Sequence, residues 1–298
     1  MSRWFYREGE LRQGDWHTVI DTNTPGWRHT GLRIGDVSEE ATFELEAGGV
    51  ERLLVPLAGS FEVTYTPGSG DERGGEETVS LEGRTSVFHG PPDVLYLPVG
   101  ASAQIRGTGR VAVAEAPATT VHPSRYIPKS EIAVELRGAG RSSRQVHNFG
   151  TPGELAADKF IVVEVITPAE NWSSYPPHKH DENIAGVETE LEEIYYFETA
   201  VSRGLEAPAG ADPFALFATY SSCAGDIAIN EIVRSGDTAL VPYGYHGPVA
   251  AAPGYDVYYL NVMAGPGARR WDITDDPAHG WIREKWDGEE FDPRLPYT

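Results

Sequence analysis

Short apolar runs, each closed by a turn signal, recur from one end of this chain to the other. In the first half they fall at 51–59, 60–66, 86–90, 93–100, 102–107 and 110–116; in the second at 160–167, 192–198, 214–220, 226–233, 238–244 and 255–264. Their length and two-residue period predict strands, and helix signals are scarce. The stretch SEEATFELEA at 38–47 has helix-favouring composition, but its apolar positions also alternate. GSGDERGGE at 68–76 is turn-rich and predicts a mobile hairpin loop.

The halves read as degenerate copies. VLYLPVGAS (94–102) carries an apolar strand into Pro-x-Gly-x-Ser, and TALVPYGYH (238–246) carries one into Pro-x-Gly-x-His. VERLLV (50–55) sits upstream where LEEIYY (191–196) sits in the second copy. Repeated strand sets of this kind predict an all-β chain of two tandem jelly-roll barrels, residues 1–140 and 141–298, with the boundary near RSSRQVHNF. The Trp- and Pro-rich tail from Trp271 onward is expected to wrap a barrel or a partner subunit, and self-association is expected with it.

One stretch breaks the pattern of plain strands: SSYPPHKHDENIAGVETELEEIYYF, residues 173–197. Alternation along a strand puts His178 and His180 on one face and Lys179 on the other. In EEIYYF, the same rule groups Glu193 with Tyr195 and Phe197, and Glu192 with Ile194 and Tyr196. Phe197 suits a barrel interior, which favours Glu193 as the inward carboxylate; Glu192 is the alternative because Ile194 is apolar too. Far downstream, His246 follows a strand and a Pro-Gly turn. Three imidazoles and a carboxylate suit a divalent ion, Zn or Mn first and Fe or Ni after, with coordination positions left for a ligand. The first copy has Ser102 in place of His246, Arg52 at or beside the place of Glu193, and no H-x-H, so it is expected to hold no metal.

Other candidates carry less. Tyr245 and Tyr175 neighbour the ligands and are candidates to move protons, as is water on the ion. Arg144 could grip a carboxylate bidentately, against the plain reading of a surface residue near a domain boundary. Lys179 could do so as a point charge, though alternation favours a solvated lysine. His89, His122, His147 and His279 lack ligand-spaced partners and read as structural. Cys223, the sole cysteine, lacks a nearby base and reads as a small buried residue.

Composition narrows the function classes. Among 298 residues the formal net charge is −21, which excludes a nucleic-acid interface built on clustered cations and disfavours anionic membranes. An anionic substrate would need a local cation to hold it against that field. The chain start, MSRWFYREGELRQGD, lacks the apolar run of a signal peptide, and no 18-residue apolar stretch follows. With a single cysteine, the expected compartment is the cytoplasm.

The H-x-H, the carboxylate heading the next strand and the distant P-x-G-x-H resemble the metal motifs of cupins. More narrowly, PPHKHDENIAGVETELEEIYYF, together with FHGPPDVLYLPVG at 88–100, resembles the 5-deoxyglucuronate isomerases of inositol catabolism. The resemblance runs from about Thr30 to the tail. The gap from His180 to the carboxylate is longer than in a generic cupin motif. The resemblance implies conversion of 5-deoxy-D-glucuronate, an aldose, to the ketose 5-dehydro-2-deoxy-D-gluconate, with a small sugar acid as partner. The same ligand set also suits an Fe-dependent cupin dioxygenase, or a sugar-acid-binding bicupin without turnover.

Overall fold

A computed structural model describes residues 4–39, 42–68 and 75–297. The structure is almost entirely β, as the two-residue period predicts. Helical turns among the described residues are limited to three short 3-10 segments, Lys129–Glu131, Gly140–Ser142 and Gly280–Lys285.

The first half is built on an eight-stranded sheet whose long members, Val50–Thr66 and Ser102–Pro117, pair antiparallel along their length. Each spans two of the predicted runs. The glycines that read as breaks lie inside the strands. A Cβ on Gly59 would stand 1.9 Å from the Thr108 carbonyl oxygen, and one on Gly109 would stand 2.0 Å from that of Ala58. Both have positive φ, so they serve close approach within a coiled, bulged hairpin. Two further expectations are corrected. The run at 86–90 is a turn, closed by the His89 N–H on the Ser86 carbonyl, and Glu77–Arg84 just before it is the strand. Within 38–47 alternation prevails and Phe43–Leu45 is a strand; residues 40–41 and loop residues 69–74 lie outside the described ones.

The second half holds a seven-stranded sheet in which Glu192–Val201 lies between Thr238–Val241 and Tyr255–Ala264. A four-stranded sheet containing Ala215–Ala218 and Val249–Ala251 completes the barrel. Both Phe5–Tyr6 and Ala133–Arg137 belong to the seven-stranded sheet, so sheet membership crosses the predicted boundary at both ends. The tail packs over its own chain's second barrel: Thr274–Asp275 pairs with His178–Lys179, and the Tyr297 N–H donates to Gln145.

The continuous buried run at the start of Val50–Thr66 has two cores to serve. Leu54 joins Phe61, Val63 and Leu81 inside the first barrel. Leu53, Val55 and Leu57 face the opposite way, into a core shared with Phe160, Ile161 and the second sheet. A strand covered on both faces reads as unbroken hydrophobicity.

Two equivalent carboxylates fasten the halves. Glu51 accepts the backbone N–H groups of Asp158, Lys159 and Phe160 at 2.6–3.0 Å and the Tyr96 hydroxyl at 2.9 Å. Glu192, at the matching place in the second copy, accepts those of Arg28, His29 and Thr30. Between them lies a buried ion pair, Arg84 to Glu164, with both nitrogen–oxygen contacts at 2.7 Å. Burial opposes the charged Glu164 carboxylate, but the Arg84 guanidinium and His147 outweigh it and hold its pKa at about 2. The stability this depressed pKa contributes is therefore present above the ordinary carboxylate range and is lost as pH falls towards 2. Glu164→Gln strands the Arg84 charge and is expected to lower stability by roughly 3–5 kcal/mol in denaturant melts at neutral pH. An unchanged midpoint would refute that role.

Candidate metal centre and substrate cavity

The H-x-H strand, His178–Lys179, is held between two partners. It bridges His246, with paired backbone bonds of 3.0 and 2.9 Å, and it pairs with the tail strand. The first contact sets the Pro-Gly turn bearing His246 directly over the H-x-H. Gly247 allows the approach: a Cβ there would meet the Ser174 carbonyl oxygen at 2.3 Å and the His178 ring at 2.7 Å.

Each imidazole has one nitrogen committed to the backbone. Nδ1–H of His178 donates to the Pro176 carbonyl at 3.1 Å, that of His180 to Leu191 at 2.9 Å, and that of His246 to Gly244 at 2.8 Å. A carbonyl can only accept, so the three Nδ1 atoms carry hydrogen and the Nε2 atoms are left for the barrel interior. There, His180 Nε2, His246 Nε2 and Glu193 Oε2 form a triangle with every side 3.0 Å. The three imidazoles offer nitrogens all within 4.8 Å of one another. All four side chains are at least nine-tenths buried.

Three acceptors in such a triangle repel unless a cation or trapped protons lie among them. Burial and its two imidazole neighbours push His178 down to about 3, keeping it neutral. Burial works against charged Glu193, but its close contacts with His180 and His246 hold it down to about 2, while the same carboxylate draws His180 upward against its own burial. Neutral imidazoles and an ionised carboxylate are the ligand states a divalent ion requires. The donor set fits a divalent ion, which these four side chains would hold. Glu192, the alternative carboxylate, is turned away into its backbone latch.

A cavity of about 270 Å³ opens beside these ligands. His178 and Glu193 line it together with Ser174, Tyr195 and Asn261, and so do Arg137, Arg144, Trp271, Ile273 and Arg283. Arg144 is 7% exposed and has no carboxylate within ion-pairing distance among the described residues; its one hydrogen bond goes to the Ser142 carbonyl. Burial, joined by the neighbouring Arg137 and Arg283 charges, pulls its pKa down to about 10, so it remains a cation. Arg137 faces Arg144 directly across the hairpin, a like-charge pairing that an anion between them would relieve.

Other sequence candidates fall elsewhere. The Lys179 ammonium is neither solvated nor near the cavity: Asp181, Glu182 and Glu188 surround it at 2.6–2.9 Å and take its three donors. Lys179 therefore offers nothing to a substrate carboxylate. Tyr245 stacks on Tyr220 and Tyr175 meets Trp172 edge-on; neither lines the cavity, which removes the geometric basis for their proton-moving role. Adjacency in sequence misled there, because strand alternation turns a ligand's neighbour away. Cys223 is exposed rather than buried. His147 is structural, bonded to Glu164 and Gln145. In the first barrel Arg52 is saturated by Glu115 and the carbonyls of Ala101 and Glu46. Among the described residues, the clusters able to share an ion lie only in the second half. Sequence reasoning missed Arg137, Arg283 and Trp271; the tail offered no motif to place them.

Known proteins resemble this chain in sequence and in fold. A family profile described as the KduI/IolB family matches residues 4–282. A 5-deoxy-glucuronate isomerase of Geobacillus kaustophilus is 40% identical over 270 residues, 89% of this chain and 90% of that protein. One from Lacticaseibacillus casei is 32% identical over 292 residues, 96% of this chain and all of that one. Among solved structures, an IolB-like protein from Salmonella typhimurium LT2 superposes with a TM-score of 0.80 at 33% identity, covering 94% of this chain and 98% of that one. An oxalate decarboxylase of Lactobacillus farciminis shares the fold alone, with a TM-score of 0.63 at 10% identity over 92% of this chain and 89% of that one. The architecture is that of a two-barrel cupin.

Proposed function

The chain belongs to the KduI/IolB family, and from that premise we propose that it is a metal-dependent aldose–ketose isomerase acting on 5-deoxy-D-glucuronate. The observation that supports this reading is the placing, at one small cavity, of a cluster of three imidazoles and a carboxylate beside a buried guanidinium that has no carboxylate partner among the described residues. An aldehyde that is also a carboxylic acid matches both ends.

His178, His180, Glu193 and His246 would hold the ion. A divalent ion there supplies Lewis acidity, polarising the substrate carbonyl and offsetting the charge that develops as the adjacent C–H loses its proton. The chain's own residues do the rest. Arg144 binds the carboxylate and orients the sugar so that its aldehyde end meets the ligand cluster. The cavity walls exclude bulk water. Burial, reinforced by the Glu193 charge, keeps the Tyr195 phenol protonated as a donor to a ligand oxygen. Tyr175 and Tyr245 do not line the cavity, so in this reading neither carries the proton that passes between adjacent carbons.

Three imidazoles and a carboxylate suit Zn or Mn first and Fe or Ni after. We assign the chemistry to residues 141–298 and a scaffold role to 1–140. The enzyme is placed in the cytoplasm and is expected to self-associate, which sedimentation of the purified chain tests. No helix among the described residues is long and apolar enough to cross a membrane.

The test is an anaerobic assay of the metal-loaded protein with 5-deoxy-D-glucuronate, followed by NMR. Loss of the aldehyde and appearance of the 5-keto acid, 5-dehydro-2-deoxy-D-gluconate, are expected, at about one ion per chain. Oxygen-dependent consumption, or tight binding without conversion, would overturn the reading.

A further inference from the structure

The C-terminal tail contributes Trp271, Ile273 and Arg283 to the lining of the cavity beside the metal ligands. Its strand Thr274–Asp275 is zipped to the H-x-H strand, with Asp275 directly opposite His178. Two more bonds stitch it down, from the Asp276 N–H to the Pro177 carbonyl and from the Thr189 N–H to that of Asp272, at 2.8 and 3.0 Å. This anchoring delivers Trp271, Ile273 and Arg283 to the cavity.

Two of these carry unspent hydrogen-bonding capacity. The Trp271 indole N–H is buried and has no partner among the described residues. Such an orphaned donor is costly unless a ligand satisfies it. Arg283 is at the exposed mouth. Its Nε and one terminal nitrogen grip Asp275 at 2.5 and 2.8 Å, while its other terminal nitrogen has no hydrogen bond among the described residues. The Trp286 ring has the Arg144 guanidinium 5.8 Å from its centre and the Arg283 guanidinium 5.5 Å away, so it holds both cations beside the same ligand space.

We infer that the tail is the specificity wall of the site: Arg283 is a second guanidinium for the substrate carboxylate, and the Trp271 indole N–H donates to an oxygen of the same ligand. This rests on the sugar-acid reading of the cavity. Arg144 supplies the buried charge. Arg283 selects at the entrance, and Asp275 holds its fork in position. A neutral aldose finds the same metal ligands but cannot satisfy this wall, leaving donors unpaired, which is how a polar site rejects an analogue.

The experiment compares wild type with Arg283→Gln, Arg283→Lys and Trp271→Phe, each fully metal-loaded. The substrates are 5-deoxy-D-glucuronate and the neutral aldose in which its carboxylate is reduced to hydroxymethyl. Arg283→Gln is expected to raise KM for the acid about tenfold to a hundredfold with kcat changed far less. Preference for acid over neutral aldose should fall by the same factor. Arg283→Lys keeps the charge without the fork and should lie between. Trp271→Phe keeps the ring packing and should raise KM severalfold.

In parallel, tryptophan fluorescence titration with the acid reduced at its aldehyde, which cannot isomerise, reads affinity without turnover. If wild type isomerises the acid and Arg283→Gln keeps both KM and acid preference, the inference is overturned and the isomerase reading stands. If wild type does not isomerise, that reading fails, and the titration alone decides the wall: weakened binding in Arg283→Gln supports it, equal binding overturns it.

Discussion

Glu193→Gln is expected to lower kcat/KM by about a thousandfold, roughly 4 kcal/mol of transition-state stabilisation, and to leave the purified protein with far less than one ion per chain. The substitution preserves shape in a closely packed barrel, so the fold should persist. What it removes is the negative charge placed 3.0 Å from two imidazole nitrogens, His180 Nε2 and His246 Nε2. A neutral amide is a weaker ligand for a hard divalent ion. Glu192→Gln is the control. It removes the adjacent charge, but its role is the latch onto residues 28–30. That variant should lose stability, not metal. Metal content by atomic emission beside steady-state kinetics separates the two, and equal metal loss in both would show that the assignment of the carboxylates is wrong.

Arg144→Met has the second large effect, and its signature is a split between stability and activity. The guanidinium is buried without a carboxylate, and Arg137 stands opposite it across the hairpin. Such a charge costs stability in the unliganded protein. Replacing it with an apolar side chain of similar length should leave the melting temperature unchanged or raised. Meanwhile kcat/KM for the sugar acid should fall about a hundredfold to a thousandfold, as expected for loss of a charge-assisted bidentate contact in a desolvated site. A drop in stability proportional to the drop in activity would mark Arg144 as a framework residue and remove the carboxylate partner from the account.

Much of this was legible in the chain because the informative pattern was local. Alternation grouped Glu193 with Tyr195 and Phe197, and the structure shows Tyr195 and Phe197 stacked at 5.9 Å on the wall that presents Glu193. The duplicated P-x-G-x-H and P-x-G-x-S turns pointed to two barrels, and the structure puts Arg52 of the first among Glu115 and the carbonyls of Ala101 and Glu46. Legibility ended where position depends on distant pairing. Lys179 alternates away from the ligands as expected, yet three carboxylates brought together by the following loop turn that outward face into a buried ion cluster. Gly59 and Gly109 look like turn glycines in one strand; only the strand across from each shows that it permits contact rather than a bend. Arg283 and Trp271 lie in a tail with little regular periodicity, so nothing in the sequence placed them at a cavity some ninety residues earlier in the chain.

The central claim is a single divalent ion shared by His178, His180, Glu193 and His246. The most direct measurement is an anomalous difference map from crystals of the Mn-loaded protein, collected on both sides of the metal's absorption edge. One peak per chain is predicted, roughly 2.0–2.3 Å from the three Nε2 atoms and a Glu193 oxygen. A peak among residues 1–140, or none at these four side chains, would contradict it.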